Sequence, residues 1–128
     1  MASATGGLAK QFLDWKGAPL YWESALVFSR CARVDGLVFV FPEACIDEER
    51  ERVAGLMRNA SLGIPWKVVA GGALRQDSVR NGLSALPDDC MEVLIHDAAR
   101  PFVSPVLVNR ILDGLHGEAS GECVAACI

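Results

Sequence analysis

The chain has 128 residues, the length of a single domain. Hydrophobic residues make up 52% of it and charged residues 22%, which excludes intrinsic disorder and supplies enough apolar side chains for a buried core. The 12 basic and 16 acidic residues give a net charge of −4. This charge argues against a general binding surface for nucleic acid or anionic membrane, but not against one small anionic ligand held by a few local cations.

The pattern of apolar residues and cysteines excludes further classes. The longest charge-free stretches, 1–9 and 101–109, are far shorter than the roughly 20 apolar residues that cross a bilayer, so we expect no membrane span. No basic segment followed by an apolar one opens the chain, so we expect no secretory signal. The five cysteines form no Cys-x-x-Cys pair. They are interpreted as buried free thiols in a reducing cytoplasm, with a metal or disulfide role as the alternative.

Short continuous apolar runs alternate along the chain with helical patterns. Runs that are apolar on both faces are typical of buried parallel strands. Ser104 before Pro105 is the pattern of an N-cap followed by proline at the first helical position. The charged run 47–52 is interpreted as a solvated helix face, with opposite charges one turn apart. In chain order we expect a helix at 19–34, a strand at 36–41, a helix at 42–59, a strand at 66–70, a helix at 76–86, a strand at 92–96, a helix from Pro105 to Gly117 and a strand at 122–128.

This alternation predicts βαβ units around a parallel sheet with right-handed crossovers. Ligands of such sheets bind beyond the carboxyl ends of the strands, so the loops after Phe41, Ala70 and His96 are the places to look for a site. The first ten residues form a polar loop with no strand before it, and the last predicted strand stops in mid-run at Ile128. We therefore expect residues 1–128 to be a piece of a larger domain.

The first candidate site is the turn after Ala70, where Gly71 and Gly72 lead into a helix. Glycines let the backbone approach a ligand closely, and the first turn of a helix offers free N–H groups to an anion or to the edge of a nucleobase. Ser78 adds a hydroxyl one turn into that helix. The alternative interpretation is a tight strand-to-helix turn with a capping side chain. The segment is neither a Gly-x-Gly-x-x-Gly motif nor a P-loop.

A second candidate site follows the strand at 92–96, where His96 and Asp97 precede Ala98, Ala99 and Arg100. An acidic residue at the end of a buried strand suits Mg²⁺, which takes carboxylate oxygens together with substrate phosphate oxygens. The two alanines are small enough for a ligand to lie against the chain. Arg100 offers a planar donor fork to phosphate or hydroxyl groups, or pairs with Asp97. His96 is interpreted as a strand-end residue satisfied by backbone rather than as a general base.

Lys10, directly after the glycine-containing loop 5–9, is the third candidate. It is either a solvent-exposed lysine or a compact positive charge that offsets negative charge developing on a phosphate.

The order of these three clusters resembles a known family. The sequence has Lys-Gln-Phe-Leu from Lys10, then Gly-Gly-x-x-Arg-x-x-Ser-Val from Gly71, then His-Asp-Ala-Ala-Arg-Pro from His96. Over essentially the whole chain this closely resembles the 2-C-methyl-D-erythritol 4-phosphate cytidylyltransferases of the non-mevalonate isoprenoid pathway. The resemblance implies a glycosyltransferase-A-like nucleotidyltransferase fold, an open, mostly parallel twisted α/β sheet with helices on both faces. It also implies Mg²⁺-dependent transfer of CMP from CTP to 2-C-methyl-D-erythritol 4-phosphate, with release of diphosphate.

The resemblance implies a role for each matching residue. Lys10 would be the catalytic lysine that neutralises charge on the triphosphate. Asp97 would bind Mg²⁺ and the nucleotide, and Arg100 would face the sugar-alcohol substrate. The cytosine and its ribose would be bound, mostly through backbone and one hydroxyl, by Gly71, Gly72, Ala73, Ser78 and Ala98.

The chain also departs from the family pattern. Family members have a strand and a glycine-rich loop with a second catalytic cation before the position of Met1, and a dimerisation arm with further substrate-binding residues after that of Ile128. We therefore expect residues 1–128 to be a partial nucleotidyltransferase domain, truncated at both ends and inactive alone. The intact protein is expected to be a cytoplasmic homodimer whose partners are CTP and a sugar-alcohol phosphate, not nucleic acid or membrane. Two alternatives are a ribitol-5-phosphate cytidylyltransferase and a non-catalytic βαβ binding module.

Overall fold

The computed structural model describes residues 14, 15, 17–96, 104–116 and 123–127. Its strands are β1 (Asp14–Trp15), β2 (Ala18–Pro19), β3 (Gly36–Phe41), β4 (Trp66–Ala70), β5 (Cys90–Ile95) and β6 (Cys123–Cys127). Its helices are α1 (Tyr21–Arg30), α2 (Ile46–Ala60), α3 (Arg75–Ser84) and α4 (Pro105–His116), with a short 3-10 helix at Glu43–Cys45 before α2. The predicted alternation of helices and strands is confirmed, with boundaries shifted by a few residues.

The stretch before α1 differs from the predicted helix that begins at residue 19. β1 and β2 pair as a two-stranded antiparallel hairpin with Asp14 opposite Pro19. Gly17 in its turn has a φ of +84°, a conformation that glycine adopts without steric cost. Because Pro19 belongs to the hairpin, α1 begins only at Tyr21.

The main sheet has the strand order β4-β3-β6-β5, and each neighbouring pair is parallel. The connection from β3 to β4 crosses the sheet in one direction, and the connection from β4 to β5 crosses it in the other. Right-handed crossovers that run in opposite directions put their helices on opposite faces, so α2 and α3 lie on opposite sides of the sheet. By the same rule α4, which connects β5 to β6, shares the face of α2. The predicted fold class, an open parallel α/β sheet with helices on both faces, is confirmed.

The main core lies between one face of the sheet and the helices α1, α2 and α4. Leu37, Phe39 and Phe41 alternate along β3 and all belong to this core. Val38, which alternates with them, is also buried, because α3 packs against β3, β4 and β6 on the other face. The most deeply buried large apolar side chains are Tyr21, Phe39, Leu37, Leu112, Val53 and Val108. None of the helices in the described part of the chain is long and apolar enough to span a membrane.

The interpretation of residues 47–52 as a solvated face is wrong for Glu49, which is only 5% exposed. The hydroxyl of Tyr21 donates to Glu49 Oε2 at 3.0 Å, and Arg52 Nη1 lies 3.2 Å from Oε1. Burial, followed by the charge of Glu49 and this hydrogen bond, raises the pKa of Tyr21 well above its ordinary value. Each Glu49 oxygen thus has a partner that offsets its loss of hydration, which is what allows a carboxylate into the core.

Three cysteines can be compared with the prediction of buried free thiols. Cys31, Cys45 and Cys90 are all free, but only Cys31 is buried, whereas the other two are half-buried. Cys45 lies in the 3-10 turn before α2, and Cys90 begins the edge strand β5, so neither is enclosed by the core. Burial raises the pKa of the Cys45 thiol, and the carboxylates of Glu49 and Glu48 raise it further. The side chains of the remaining two cysteines are not among those described.

Candidate functional site

Two glycines carry the chain from the end of β4 towards α3. Ala70 ends β4 in register with Phe41, the last residue of β3. The next N–H group, that of Gly71, donates to the carbonyl of Phe41 at 2.7 Å and so extends the ladder by one bond. The loop therefore starts at the carboxyl edge of the sheet, where open α/β sheets bind their ligands.

Neither glycine position has room for a side chain. A Cβ atom on Gly71 would lie 2.7 Å from Ser78 Oγ, and one on Gly72 would lie 2.2 Å from Asp77 Cβ. Real Cβ atoms essentially never come closer than 3.0 Å to such neighbours. The two glycines thus allow the first turn of α3 to pack directly onto the loop backbone.

The hydroxyl of Ser78 faces this loop. The N–H group of Gly72 donates to Ser78 Oγ at 3.1 Å, so the oxygen acts as an acceptor. In the part of the chain that the structure describes, the proton of this hydroxyl has no acceptor. Ser78 can therefore donate to a ligand, whereas the N–H of Gly72 is already engaged within the protein.

Asp77 caps the start of α3 by accepting the N–H of Leu74 at Oδ2, 3.2 Å away. Among the described residues, the N–H groups of Ala73, Arg75 and Gln76 have no acceptor in the protein. All three residues are exposed. The free N–H groups that the sequence predicts at this helix start are therefore present, and they belong to exposed residues.

This geometry agrees with both interpretations of the glycine turn. The turn is tight and has a capping side chain, yet capping still leaves three backbone donors and one hydroxyl proton at a single loop–helix junction. Donors arranged along exposed backbone suit the acceptor atoms at the edge of a nucleobase, or an anion.

His96 follows β5 and is held by α1. Its Nε2 and the Oγ of Ser24 are joined by a hydrogen bond of 2.8 Å, and Ser24 is fully buried. The ring of Phe28, one helical turn further along α1, meets the imidazole edge-to-face with centroids 5.4 Å apart. The sequence predicts a strand-end histidine satisfied by backbone, whereas the hydrogen bond seen here is to the side chain of Ser24 on α1. Packed against this helix, His96 still agrees with a structural interpretation.

The glycine loop and His96 lie at the same end of the sheet but at its opposite edges, because β3 and β6 separate β4 from β5. Three strand spacings of about 4.8 Å each put the two roughly 14 Å apart across the sheet. A ligand that contacts both must therefore stretch over the carboxyl ends of the intervening strands. A nucleoside triphosphate is long enough to do so.

The remaining predicted site residues, Lys10, Asp97, Ala98 and Arg100, lie outside the described residues. In the part of the chain that the structure describes, no group of three or more His, Cys, Asp or Glu side chains is placed to hold a metal ion. The predicted Mg²⁺ site at Asp97 therefore stays a prediction.

Sequence reasoning missed two residues at this site, Asp77 and Asn81. Asp77 could have been found, because a carboxylate at the third position of a helix is the signal of a capping interaction. Asn81 Nδ2 donates to the carbonyl of Ala70 at 3.0 Å, and no local pattern predicts a bond from a helix back to the preceding strand.

The fold and the loop together define a class of protein. An open parallel α/β sheet, with an exposed glycine loop that opens a helix at its carboxyl edge, is the architecture of a nucleotide-binding domain. The chain belongs, more specifically, to the 2-C-methyl-D-erythritol 4-phosphate cytidylyltransferase (IspD) family, because the model of that family matches residues 3–128.

Curated relatives show the same similarity. A bifunctional enzyme IspD/IspF of Oleidesulfovibrio alaskensis is 51% identical over 128 residues, which is 100% of this chain and 32% of that protein. A bifunctional enzyme IspD/IspF of Nitratidesulfovibrio vulgaris is 55% identical over 120 residues, covering 92% of this chain and 30% of its own length. A 2-C-methyl-D-erythritol 4-phosphate cytidylyltransferase of Clostridium botulinum is 39% identical over 103 residues, 80% of this chain and 43% of its own. The chain thus spans about a third of the bifunctional relatives.

Proposed function

We propose that this chain forms part of an enzyme that transfers CMP from CTP to 2-C-methyl-D-erythritol 4-phosphate, releases diphosphate and serves isoprenoid precursor biosynthesis. The observation that carries the proposal is the match of the family to residues 3–128, which include all three clusters of candidate site residues. The glycine loop supports it, because its free donors lie where an open sheet binds a nucleotide.

Cytosine recognition falls to the glycine loop in this proposal. The cytosine ring presents two adjacent acceptors, N3 and O2, whereas uracil presents a donor at N3. The hydroxyl of Ser78 and the N–H of Ala73 are donors without acceptors among the described residues, and so they match the acceptor edge of cytosine. The lack of room at Gly71 and Gly72 keeps the loop backbone packed against the first turn of α3, which carries Ser78.

Phosphoryl chemistry falls to the charged residues. An oxygen of the acceptor phosphate attacks the α-phosphorus of CTP, the bond from that phosphorus to the bridging oxygen breaks, and diphosphate leaves with the electron pair. No protein nucleophile or base is needed, because the attacking oxygen is already anionic. In this proposal Lys10 offsets the growing negative charge, and Arg100 binds the acceptor phosphate. Asp97 would hold Mg²⁺, which when bound neutralises triphosphate charge, and Ala98 would lie beside the ribose.

The experiment that tests this function uses a chimera. Residues 1–128 replace the matching segment of the Oleidesulfovibrio alaskensis enzyme, which supplies the remaining two thirds of the protein. Diphosphate release from CTP and Mg²⁺ is measured with methylerythritol phosphate, with ribitol 5-phosphate and without acceptor. Turnover is expected with methylerythritol phosphate as acceptor, but not with ribitol 5-phosphate and not without an acceptor. Turnover with ribitol 5-phosphate instead moves the assignment to the related cytidylyltransferase, and turnover with neither leaves a binding module.

Two matched variants sharpen the test. Lys10→Ala removes the proposed catalytic cation and is expected to lower kcat by two orders of magnitude or more, of the size seen for a lost oxyanion donor, about 10²–10³. Lys67→Ala is the control, since Lys67 lies near the start of β4, away from the loop at its end, and donates to the carbonyl of Ala85. Equal activity of the two variants would remove Lys10 from the mechanism.

The wider setting of the protein is also part of the proposal. We take the intact enzyme to be a cytoplasmic homodimer, as the family resemblance implies. Sedimentation of the intact protein at micromolar concentration tests the dimer, and a monomer would contradict it.

A further inference from the structure

Three side chains of α3 hold the loop that leads into it. Asp77 accepts the N–H of Leu74 at 3.2 Å, and Ser78 accepts the N–H of Gly72 at 3.1 Å. Asn81 reaches furthest back, because its Nδ2 donates to the carbonyl of Ala70 at 3.0 Å. The three side chains therefore fix the end, the middle and the beginning of the loop.

The bond from Asn81 spans the two glycines. Ala70 is the last residue of β4, and in the described part of the chain β4 is an edge strand that pairs with β3 alone. Glycine loses more backbone freedom on ordering than any other residue, so a segment with two of them in succession is costly to hold in one conformation. The hydrogen bond from Asn81 therefore connects α3 directly to the end of β4, in addition to the chain connection through the two glycines.

We propose that Asn81 is a positioning residue, which holds the backbone of Gly71, Gly72 and Ala73 in the geometry that reads the nucleobase. The proposal rests on the function proposed above. Asn81 contacts no substrate in it and acts only through the loop. Its effect is that the loop is ordered before the nucleotide arrives, so that binding does not have to supply the free energy of ordering.

A positioning role and a merely structural role predict opposite effects of Asn81→Ala. Asn81 is exposed within α3, and alanine favours helix formation more than asparagine does, so a purely local effect stabilises α3 or leaves it unchanged. A positioning role loosens the loop while α3 stays intact. Asn59→Ala is the matched control, because Asn59 is also exposed on a helix and its side chain has no partner among the described residues.

The first measurement needs no ligand. Amide hydrogen exchange of the chimera described above, without nucleotide, is followed by NMR at Gly71 and Gly72, with Gly82 inside α3 as the internal reference. Asn81→Ala is expected to speed exchange at the two loop glycines by about three- to tenfold, the value of one modest hydrogen bond, and to leave Gly82 unchanged. Asn81→Asp keeps the size but removes the donor, and it is expected to do the same. Unchanged exchange at both loop glycines in both variants overturns the proposal.

The second measurement reads base selectivity. The affinity of the chimera for Mg²⁺–CTP and Mg²⁺–UTP is measured with the wild-type segment, with Asn81→Ala and with Asn59→Ala. Asn81→Ala is expected to weaken CTP binding about three- to tenfold with little effect on UTP, and Asn59→Ala is expected to change neither. Equal loss for both nucleotides overturns a role in base reading. If wild type itself does not prefer CTP, the proposed function of the loop fails, and the role of Asn81 in base reading fails with it. Faster exchange in the first measurement would still show that Asn81 orders the loop.

Discussion

The glycine loop after β4 depends on single atoms. Gly72 packs so closely against α3 that an added Cβ would lie 2.2 Å from Asp77 Cβ, and both atoms belong to parts of the chain that cannot rotate aside. Gly63, by contrast, has nothing within 4 Å of an added Cβ. These two glycines therefore separate the effect of lost backbone freedom from that of steric exclusion.

Gly72→Ala is expected to lower the free energy of unfolding by about 1–3 kcal/mol, as overpacking does, and to weaken CTP binding because the loop must shift. Gly63→Ala is the control and is expected to leave both quantities nearly unchanged. Urea unfolding and nucleotide titration of the two variants measure this. Equal effects of the two substitutions would contradict the close packing of the loop.

Ser78→Ala tests the hydroxyl that faces the loop. The substitution removes the acceptor of the Gly72 N–H and the donor proposed for cytosine, so CTP affinity is expected to fall about tenfold, with less change for UTP. Ser84→Ala is the matched control, because Ser84 lies on the same helix and donates only to the carbonyl of Arg80. An equal loss of affinity for CTP and UTP would argue against a contact between Ser78 and the base.

The sequence predicts that a single residue belongs to the site when its residue type is unusual for its position. Two consecutive glycines before a helix, with a serine one turn on, stand out from local pattern alone. Asn81 does not, because its partner is the carbonyl of Ala70, and any asparagine on an exposed helix face looks the same in the sequence. Side chain-to-backbone bonds between two elements become visible only once those elements are packed.

Side chains cap the starts of two helices, α3 and α4. In α4 the predicted cap is confirmed, since the N–H of Leu107 donates to Ser104 Oγ at 3.1 Å and Pro105 occupies the first helical position. Ser104→Ala is expected to cost about 0.5–2 kcal/mol in urea unfolding, and Ser104→Asp to cost little, because aspartate also caps. A Ser104→Asp variant as unstable as Ser104→Ala would show that the cap does not stabilise the helix.

The contact between α1 and α2 predicts how stability depends on pH. The raised pKa of Tyr21 means that the folded chain keeps the phenol protonated where the unfolded chain would release the proton. Its contribution to stability is therefore fully present below about pH 10, the usual pKa of tyrosine, and is lost as the pH rises above it. Tyr21 is the only tyrosine of the sequence, so the near-ultraviolet absorption of phenolate reports on this residue alone.

We expect the phenolate band to appear only together with the loss of helical circular dichroism in an alkaline titration. A phenolate that forms reversibly near pH 10 in a chain that stays folded would contradict a buried bond from Tyr21 to Glu49. Tyr21→Phe supplies the second check, since it leaves Glu49 Oε2 without its donor and is expected to cost about 1–3 kcal/mol.

The elements were predictable where their signal is continuous and local. The apolar runs at Gly36–Phe41 and Trp66–Ala70 fall on the observed strands β3 and β4 with the same bounds. The hairpin of β1 and β2 gave no such signal, because strands of two residues each are too short to show an alternation of apolar and polar side chains. The buried state of Glu49 was equally hidden, since it depends on Tyr21 from another helix.

For the whole molecule, the order of the strands decides how the candidate clusters relate. Chain order alone would allow β4 and β5 to be neighbours, which would bring the glycine loop next to His96. The observed order β4-β3-β6-β5 places two strands between them. Strand order depends on which helix covers which face of the sheet, and the sequence of a single segment does not predict this packing. A ligand that contacts both the glycine loop and the end of β5 must therefore lie across the carboxyl ends of β3 and β6.

In the proposed reaction, the phosphorus that is transferred is the α-phosphorus of CTP. The most direct test gives the chimera CTP labelled at that phosphorus, together with Mg²⁺ and methylerythritol phosphate, and separates the products. The label is expected to move to the cytidine diphosphate ester of methylerythritol, and the released diphosphate is expected to carry none of it. Lys10→Ala is expected to slow the transfer of the label and the release of diphosphate alike. Label that stays in CTP, or that leaves as free CMP whether or not acceptor is present, would contradict it.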